Sequence, residues 1–223
     1  MSENDRNSGI PDSPTAEAYG IAEDQGSVFT DDDPITLFAD WLLLAGRHEL
    51  NDPNAMALAT VDADGAPDVR IVLLKDLTEN GLSFYTNTES AKGQQLAARP
   101  EAALVFHWKS IRRQVRFRGS ITPVSDAEAD AYFATRARGA QIGAWASSQS
   151  RPMPAQDALR EGIDAQEKKF GERDVDRPAH WSGYRLEPNQ IEFWVNRPFR
   201  LHDRLLFERD AAGNSWRTSR LYP

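Results

Sequence analysis

The chain has 223 residues, 34 acidic against 26 basic side chains for a formal charge of −8, 40% hydrophobic residues and no Cys. This is globular composition: it excludes a collagen-like or wholly disordered chain, and the lack of Cys excludes disulfides, thiolate metal sites and Cys nucleophiles and fits a reducing cytoplasm. No apolar run approaches the roughly 20 residues of a membrane span, and the start MSENDRNSGI has neither the basic nor the apolar part of a signal peptide, so a cytoplasmic protein without a membrane partner is expected.

The charge is unevenly placed. Residues 1–33 hold nine acidic side chains against Arg6, so acids and bases balance from residue 34 onward. A neutral body with an acidic tail is a poor polyanion binder, and nucleic acid is not an expected partner. The tail is rich in Gly, Pro, Ser and acids, and residues 1–33 read as disordered. Residues 34–223 then form a single domain.

Asp33 is placed to cap a helix with Pro34 at its first position, and Phe38, Trp41, Leu42 and Ala45 recur at helical spacing. From Ala55 the period changes. AMALATV, VRIVLLKDL and LSFYTN read as three strands separated by DADG and ENG turns. SAKGQQLAAR at 90–99 reads as a short helix stopped by Pro100, followed by strands at 102–109 and 113–123. Helices are expected over 126–138 and 154–170, with QIGAWASSQSRP between them a loop because of its glycines and Pro152. GYRLEP, QIEFWVN, RLHDRLLFER and, after an AAGN turn, SWRTSRLY complete the strands. The sum is mainly β with inserted helices, a barrel or sandwich.

Walker, GxGxxG, GxSxG and HExxH signatures are absent, and His48, His107, His180 and His202 lack ligand spacing, so no metal is expected. In RLHDR, strand alternation would put Arg200, His202 and Arg204 on one face and Leu201 on the other. That face suits an anionic or electron-rich ligand, or is a solvated edge. Arg70 and Lys75 flank the apolar run at 71–74, and their odd separation puts them on opposite faces of an unbroken strand. To meet they need a bulge, a strand end or a second subunit. Tyr132 and Arg136 stand four apart on one helix face, as a structural pair or a ligand grip. Trp194 shares the polar face of its strand with Glu192 and Asn196, opposite Ile191, Phe193 and Val195. Gln114 opens an alternating strand, where the plain reading is a surface amide.

In order, RIVLLK at 70–75, FYTN at 84–87, RRQV at 112–115, QIGAW at 141–145, QIEFW at 190–194 and RLHDR at 200–204 resemble the pyridoxine/pyridoxamine 5′-phosphate oxidase family. The likeness runs from about Pro34 to the terminal RLYP. It implies an FMN-binding split β-barrel and a homodimer with flavin at the subunit interface. It also implies oxidation of pyridoxamine and pyridoxine 5′-phosphate to pyridoxal 5′-phosphate by O2, giving H2O2 and, from the amine, ammonia. Matching positions imply FMN contacts from Arg70, Ile71, Val72, Leu73, Leu74, Lys75, Tyr85, Thr86, Lys92, Gln114, Gln149, Ser150, Trp194 and Arg204. The implied substrate contacts are Lys75, Tyr132, Arg136, Arg200, Leu201 and His202, with Arg200 and His202 the catalytic pair.

The chain departs from the family pattern at Ala91, where an Arg commonly stands beside the FMN phosphate, and at Ala140, where a Ser usually meets the substrate phosphate. Its tail also lacks the Arg and Tyr pairing that often closes over the substrate. Two other functions stay open: a flavin oxidase of the phenazine-biosynthesis type, whose members typically lack the Lys of RIVLLK, and a non-catalytic FMN or B6-phosphate binding protein.

Overall fold

The computed structural model describes residues 27–210, 213 and 215–223. Most of the expected tail, and three positions of the AAGN turn, lie outside the described residues.

Helix α1, Pro34–His48, is capped as the sequence predicts: the Asp33 carboxylate accepts from the Thr36 N–H at 2.8 Å, with Pro34 in the first turn. Its buried face, Leu37, Phe38, Trp41 and Ala45, fills the concave side of a curled sheet. Phe38 meets Phe106 and Phe117 with ring centroids 4.9 and 4.8 Å apart, and Trp41 meets Phe193 edge-on at 5.1 Å.

The strands are β1 (Ala55–Val61), β2 (Pro67–Leu73), β3 (Asp76–Thr78), β4 (Gly81–Asn87), β5 (Glu101–Trp108), β6 (Arg113–Pro123), β7 (Trp181–Val195), β8 (Asp203–Arg209) and β9 (Trp216–Leu221). All pairings are antiparallel, in the order β2-β1-β5-β6-β7-β4-β3, with β8 and β9 continuing from β7. The order explains a departure from the sequence reading. VRIVLLKDL is not one strand but two, β2 and β3, which are consecutive in the chain and sit at opposite ends of the sheet path. Leu74 N–H donates to Asn54 O on one side of the break and Lys75 N–H to Ser83 O on the other, both at 2.9 Å. The sheet is thus curled until its two ends meet at Leu74 and Lys75, a split barrel with helices inserted between strands.

The helices are α2 (Ala91–Ala98), α3 (Asp126–Ala134), α4 (Arg138–Ala146) and α5 (Ala158–Phe170). Helix α4 replaces the first part of the expected loop. Its Gly139 and Gly143 have nothing within 4 Å of a would-be Cβ, so they mark no tight turn, while Ile142 is fully buried against the second, smaller core. Helix α3 stops at Ala134 rather than 138, and α5 starts at Ala158 rather than 154. GYRLEP and QIEFWVN form one 15-residue strand. Its pairing with β6 shifts at Arg118/Gly119, where a Cβ on Gly119 would fall 1.9 Å from Glu187 O.

The strand reading of RLHDR is corrected over 200–202. Pro198–Arg200 form a 3-10 turn in which Phe199 (φ 55°) and Arg200 (φ 61°) are both left-handed, and β8 begins only at Asp203. Two successive left-handed non-glycine residues break the alternation that would have aligned Arg200, His202 and Arg204. At the other end of the chain, Val28 is buried, Trp41 Nε1–H donates to Val28 O at 3.2 Å and Phe29 stacks on Trp41 at 6.0 Å. Packing thus begins before residue 33. Among the described residues no helix is long and apolar enough to cross a membrane, and no group of three or more His, Asp and Glu could hold a metal ion.

Candidate active site

Where the sheet ends meet, a cleft of about 550 Å³ is lined by Arg70, Ile71, Val72, Leu73, Lys75, Tyr85, Thr86, Lys92, Tyr132, Arg136, Gln149 and Trp181. The strand break resolves the parity problem of Arg70 and Lys75: one leaves from β2, the other from the link after it, and both reach the same cleft.

Arg70 is held from several sides. Nη1 donates to Leu58 O at 3.2 Å and to Thr60 Oγ1, and Nη2 donates to Gln95 Oε1 at 3.0 Å and pairs with Asp68. The Gln95 amide closes the ring by donating to Asp68 at 3.2 Å. Lys92, in the first turn of α2 behind the Ser90 cap, is buried and donates to Gln149 Oε1 at 3.0 Å and to Ser90 Oγ at 3.4 Å. Thr86 Oγ1 reaches the same Gln149 oxygen at 3.3 Å. Burial, and next the nearby Arg70 charge, lower the Lys92 pKa. Among the described residues Lys75, Lys92 and Arg136 have no carboxylate partner, whereas Arg70 has Asp68.

The wall opposite is aromatic. Tyr85, Tyr132 and Trp181 stack, with centroids 4.1 Å apart for Tyr85 and Tyr132 and 5.4 Å for Tyr85 and Trp181. Tyr85 faces Gly183 across the β4/β7 pair, and a Cβ on Gly183 would come within 2.7 Å of the Tyr85 ring, so only Gly lets that ring lie where it does. Arg136, in the turn after α3, lies 4.8 Å over Trp181. Its Nη1 is buried and, among the described residues, has no hydrogen-bond partner; burial lowers its pKa. Trp181 is a cleft residue that the sequence reading does not identify. Its only signal there was position, one residue after His180 at the start of a strand.

The other expected residues lie elsewhere. Leu74 is buried in the core, and Ser150 belongs to the loop after α4, beside a separate pocket. Gln114, Trp194 and Arg204 form a cross-strand row over β6, β7 and β8, on the sheet face away from α1. His202 leans on Trp194 with centroids 4.5 Å apart, and its Nδ1 accepts from the Arg197 N–H at 3.3 Å. Burial, then the Arg200 and Arg204 charges, lower the His202 pKa, favouring a neutral ring protonated on Nε2. Arg204 Nε donates to Glu192 Oε1 at 2.8 Å and its Nη1 to Tyr222 O at 2.9 Å. Leu201 is 67% exposed in the turn beside Arg200. One chain therefore carries two separate clusters: a cationic, aromatic-walled cleft and an outward-facing Gln, Trp, Arg and His row. On the same outer face Val69 and Ile71 are 64% and 66% exposed.

A curled antiparallel barrel with a cation-lined cleft at its closure defines a split-barrel protein, and comparison with known proteins agrees with that fold class. The family model for pyridoxamine 5′-phosphate oxidase matches residues 45–167, and the model for the pyridoxine 5′-phosphate oxidase C-terminal dimerisation region matches residues 181–223. The chain belongs to the pyridoxine/pyridoxamine 5′-phosphate oxidase family, and so is an oxidoreductase. A relative bearing that name from Maricaulis maris is 56% identical over 216 residues, 96% of this chain and 97% of the relative. Another from Azorhizobium caulinodans is 60% identical over 192 residues, 86% and 91% of the two chains. Among solved structures, PhzG from Burkholderia lata in complex with tetrahydrophenazine-1-carboxylic acid superposes with a TM-score of 0.81 at 32% identity, over 87% of this chain and 94% of that one.

Proposed function

We propose that this chain is an FMN-dependent oxidase that converts pyridoxamine 5′-phosphate and pyridoxine 5′-phosphate to pyridoxal 5′-phosphate, with O2 as electron acceptor. It acts as a homodimer in which the cleft of one copy meets the outward row of the other. The observation that carries the reading is the cleft itself: three cations without carboxylate partners beside three stacked rings. A buried cation such as Lys92, or a half-buried one such as Arg136, is costly unless an anion joins it, and a flavin phosphate and a substrate phosphate supply that anion. The orphaned Nη1 of Arg136 and the neutral partners of Lys92 fit such ligands. The dimer is supported by the exposed Val69 and Ile71, by the separation of the two clusters on one chain, and by the description of the matched C-terminal region.

In this reading Lys92, Arg70, Thr86, Gln149 and Ser150 hold the FMN phosphate and chain, while residues 71–75 and Tyr85 border the ring. Gln114, Trp194 and Arg204 come from the other copy. FMN supplies the two-electron acceptor that oxygen regenerates. Lys75, Tyr132 and Arg136 grip the substrate phosphate, and Arg200, Leu201 and His202 hold the pyridine ring. A neutral His202 with its proton on Nε2 can donate a hydrogen bond without adding charge.

The test is anaerobic mixing of the FMN-loaded full-length protein with pyridoxamine 5′-phosphate, followed by flavin absorbance and pyridoxal 5′-phosphate formation. Bleaching with product is expected; bound substrate with unchanged absorbance would mean a binding protein. The likeness to PhzG favours a phenazine-type oxidase as second reading. It predicts bleaching by a reduced phenazine carboxylate and none by the B6 phosphate.

A further inference from the structure

Glu192 is the one carboxylate buried to 4% exposure among the described residues, and it takes no part in the cleft. It stands on β7 two residues before Trp194, on the same face. Two guanidinium groups converge on it: Arg204 Nε donates to Oε1 at 2.8 Å, and Arg116, its cross-strand neighbour on β6, pairs with Oε2. Burial acts to raise the Glu192 pKa, but the hydrogen bonds from Arg204 and Arg116 outweigh it, so the carboxylate stays charged. Arg204 is thereby tied by its Nε to Glu192 and by its Nη1 to the backbone carbonyl of Tyr222. An Arg side chain has four rotatable bonds, and a charged buried acceptor on its Nε removes most of that freedom before any ligand arrives.

We propose that Glu192 is a positioning residue for flavin binding, acting through Arg204. The inference rests on the function proposed above and goes beyond it by assigning a role to a side chain that touches neither cofactor nor substrate. Arg116 serves a different end: about half exposed, it satisfies the second carboxylate oxygen, while the hydrogen bond from Arg204 does more than that from Arg116 to keep Glu192 ionised.

The test is a double-mutant cycle on the full-length chain, titrated with FMN and read by quenching of flavin fluorescence. Glu192→Gln is expected to weaken FMN binding about tenfold or more. Arg204→Gln should weaken it at least as much, and the double variant no further than Arg204→Gln alone. Arg116→Gln, which leaves the Glu192–Arg204 bond in place, should stay within about threefold of wild type. Additive losses at 192 and 204, or a loss in Arg116→Gln equal to that in Glu192→Gln, would overturn the proposal. Should Glu192→Gln not fold, Glu192→Asp keeps the charge but shortens its reach by one methylene; an affinity equal to wild type would then overturn it. A wild-type chain that fails to quench FMN would sink the functional reading itself. Quenching by wild type and Glu192→Gln alike would sink only the role of Glu192.

Discussion

Arg136 is held over Trp181 at 4.8 Å, while its Nη1 is buried and, among the described residues, without a hydrogen-bond partner. The aromatic ring positions the guanidinium without neutralising it, which leaves the charge for a ligand. Arg136→Ala should raise KM for pyridoxamine 5′-phosphate by roughly one to two decades, from about 1.5–3 kcal/mol, with a smaller effect on kcat. Trp181→Leu should raise KM in the same direction by less, about 0.5–2 kcal/mol in binding. Steady-state kinetics on FMN-saturated enzyme reads both, and an unchanged KM in Arg136→Ala would remove that residue from the substrate site.

Lys92 tests whether the cleft is built for an anion at the expense of stability. Its folded pKa lies below the ordinary 10.5, because of burial first and Arg70 second, so the unfolded chain binds the proton more tightly. Its contribution therefore disfavours folding at neutral pH, and that penalty fades as pH rises toward 10.5. Lys92→Met should leave the flavin-free thermal midpoint equal or higher at pH 7, while weakening FMN about tenfold or more. A lower midpoint together with unchanged FMN affinity would contradict both halves.

Glu128 gives a second pH signature, through a carboxylate outside the residues that line the cleft. The Ser125 N–H, the Ser125 hydroxyl and Arg185 hold its carboxyl at about 2 against an ordinary 4.5. A depressed carboxylate contributes stability above its unfolded pKa and loses it as pH falls through the folded one. The thermal midpoint of Glu128→Gln should lie below wild type at pH 6, and the gap should close between pH 4.5 and about 2. A gap independent of pH would show that the capping geometry, not the charge, carries the effect.

Truncation locates the start of the domain. Removing residues 1–26 should leave the thermal midpoint nearly unchanged, because that segment has few apolar groups to bury. Removing residues 1–30 also takes Val28 from the core and Phe29 from Trp41 and from Arg220, which lies 4.5 Å over its ring. About 1.5–3 kcal/mol for buried Val28, and less for half-buried Phe29, should then be lost, visible as a lower denaturation midpoint for the longer deletion alone.

What the sequence showed was the part governed by local rules. The Asp33 cap, the Gly-closed hairpins and the face of Trp194 follow from capping, turn chemistry and alternation. What it hid depends on distant partners. Nothing local in VRIVLLKDL says that Leu74 and Lys75 bond to opposite ends of one sheet. The glycines of α4 look like loop residues until their open surroundings are seen. Proline at 198 and the left-handed pair after it override the strand pattern of RLHDR. The positions proposed for FMN and substrate rest on resemblance, and the fold divides them into two clusters that no spacing rule separates.

The ring of bonds joining Asp68, Gln95, Arg70 and Thr60 has a consequence for folding fidelity. Strand β2 ends the sheet path, and among the described residues it pairs with β1 alone, so a slip by one residue would cost few backbone bonds. Such a slip would turn Arg70 and Val72 outward and turn the side chains of Val69 and Ile71 toward the concave side, taking one cation from the cleft and stripping the outer face of its apolar cover. Arg70 can reach Leu58 O, Thr60, Asp68 and Gln95 together in one alignment only. The network is therefore a latch on strand alignment, and Gln95→Leu should increase amide hydrogen exchange along β2 even where the overall unfolding free energy barely moves.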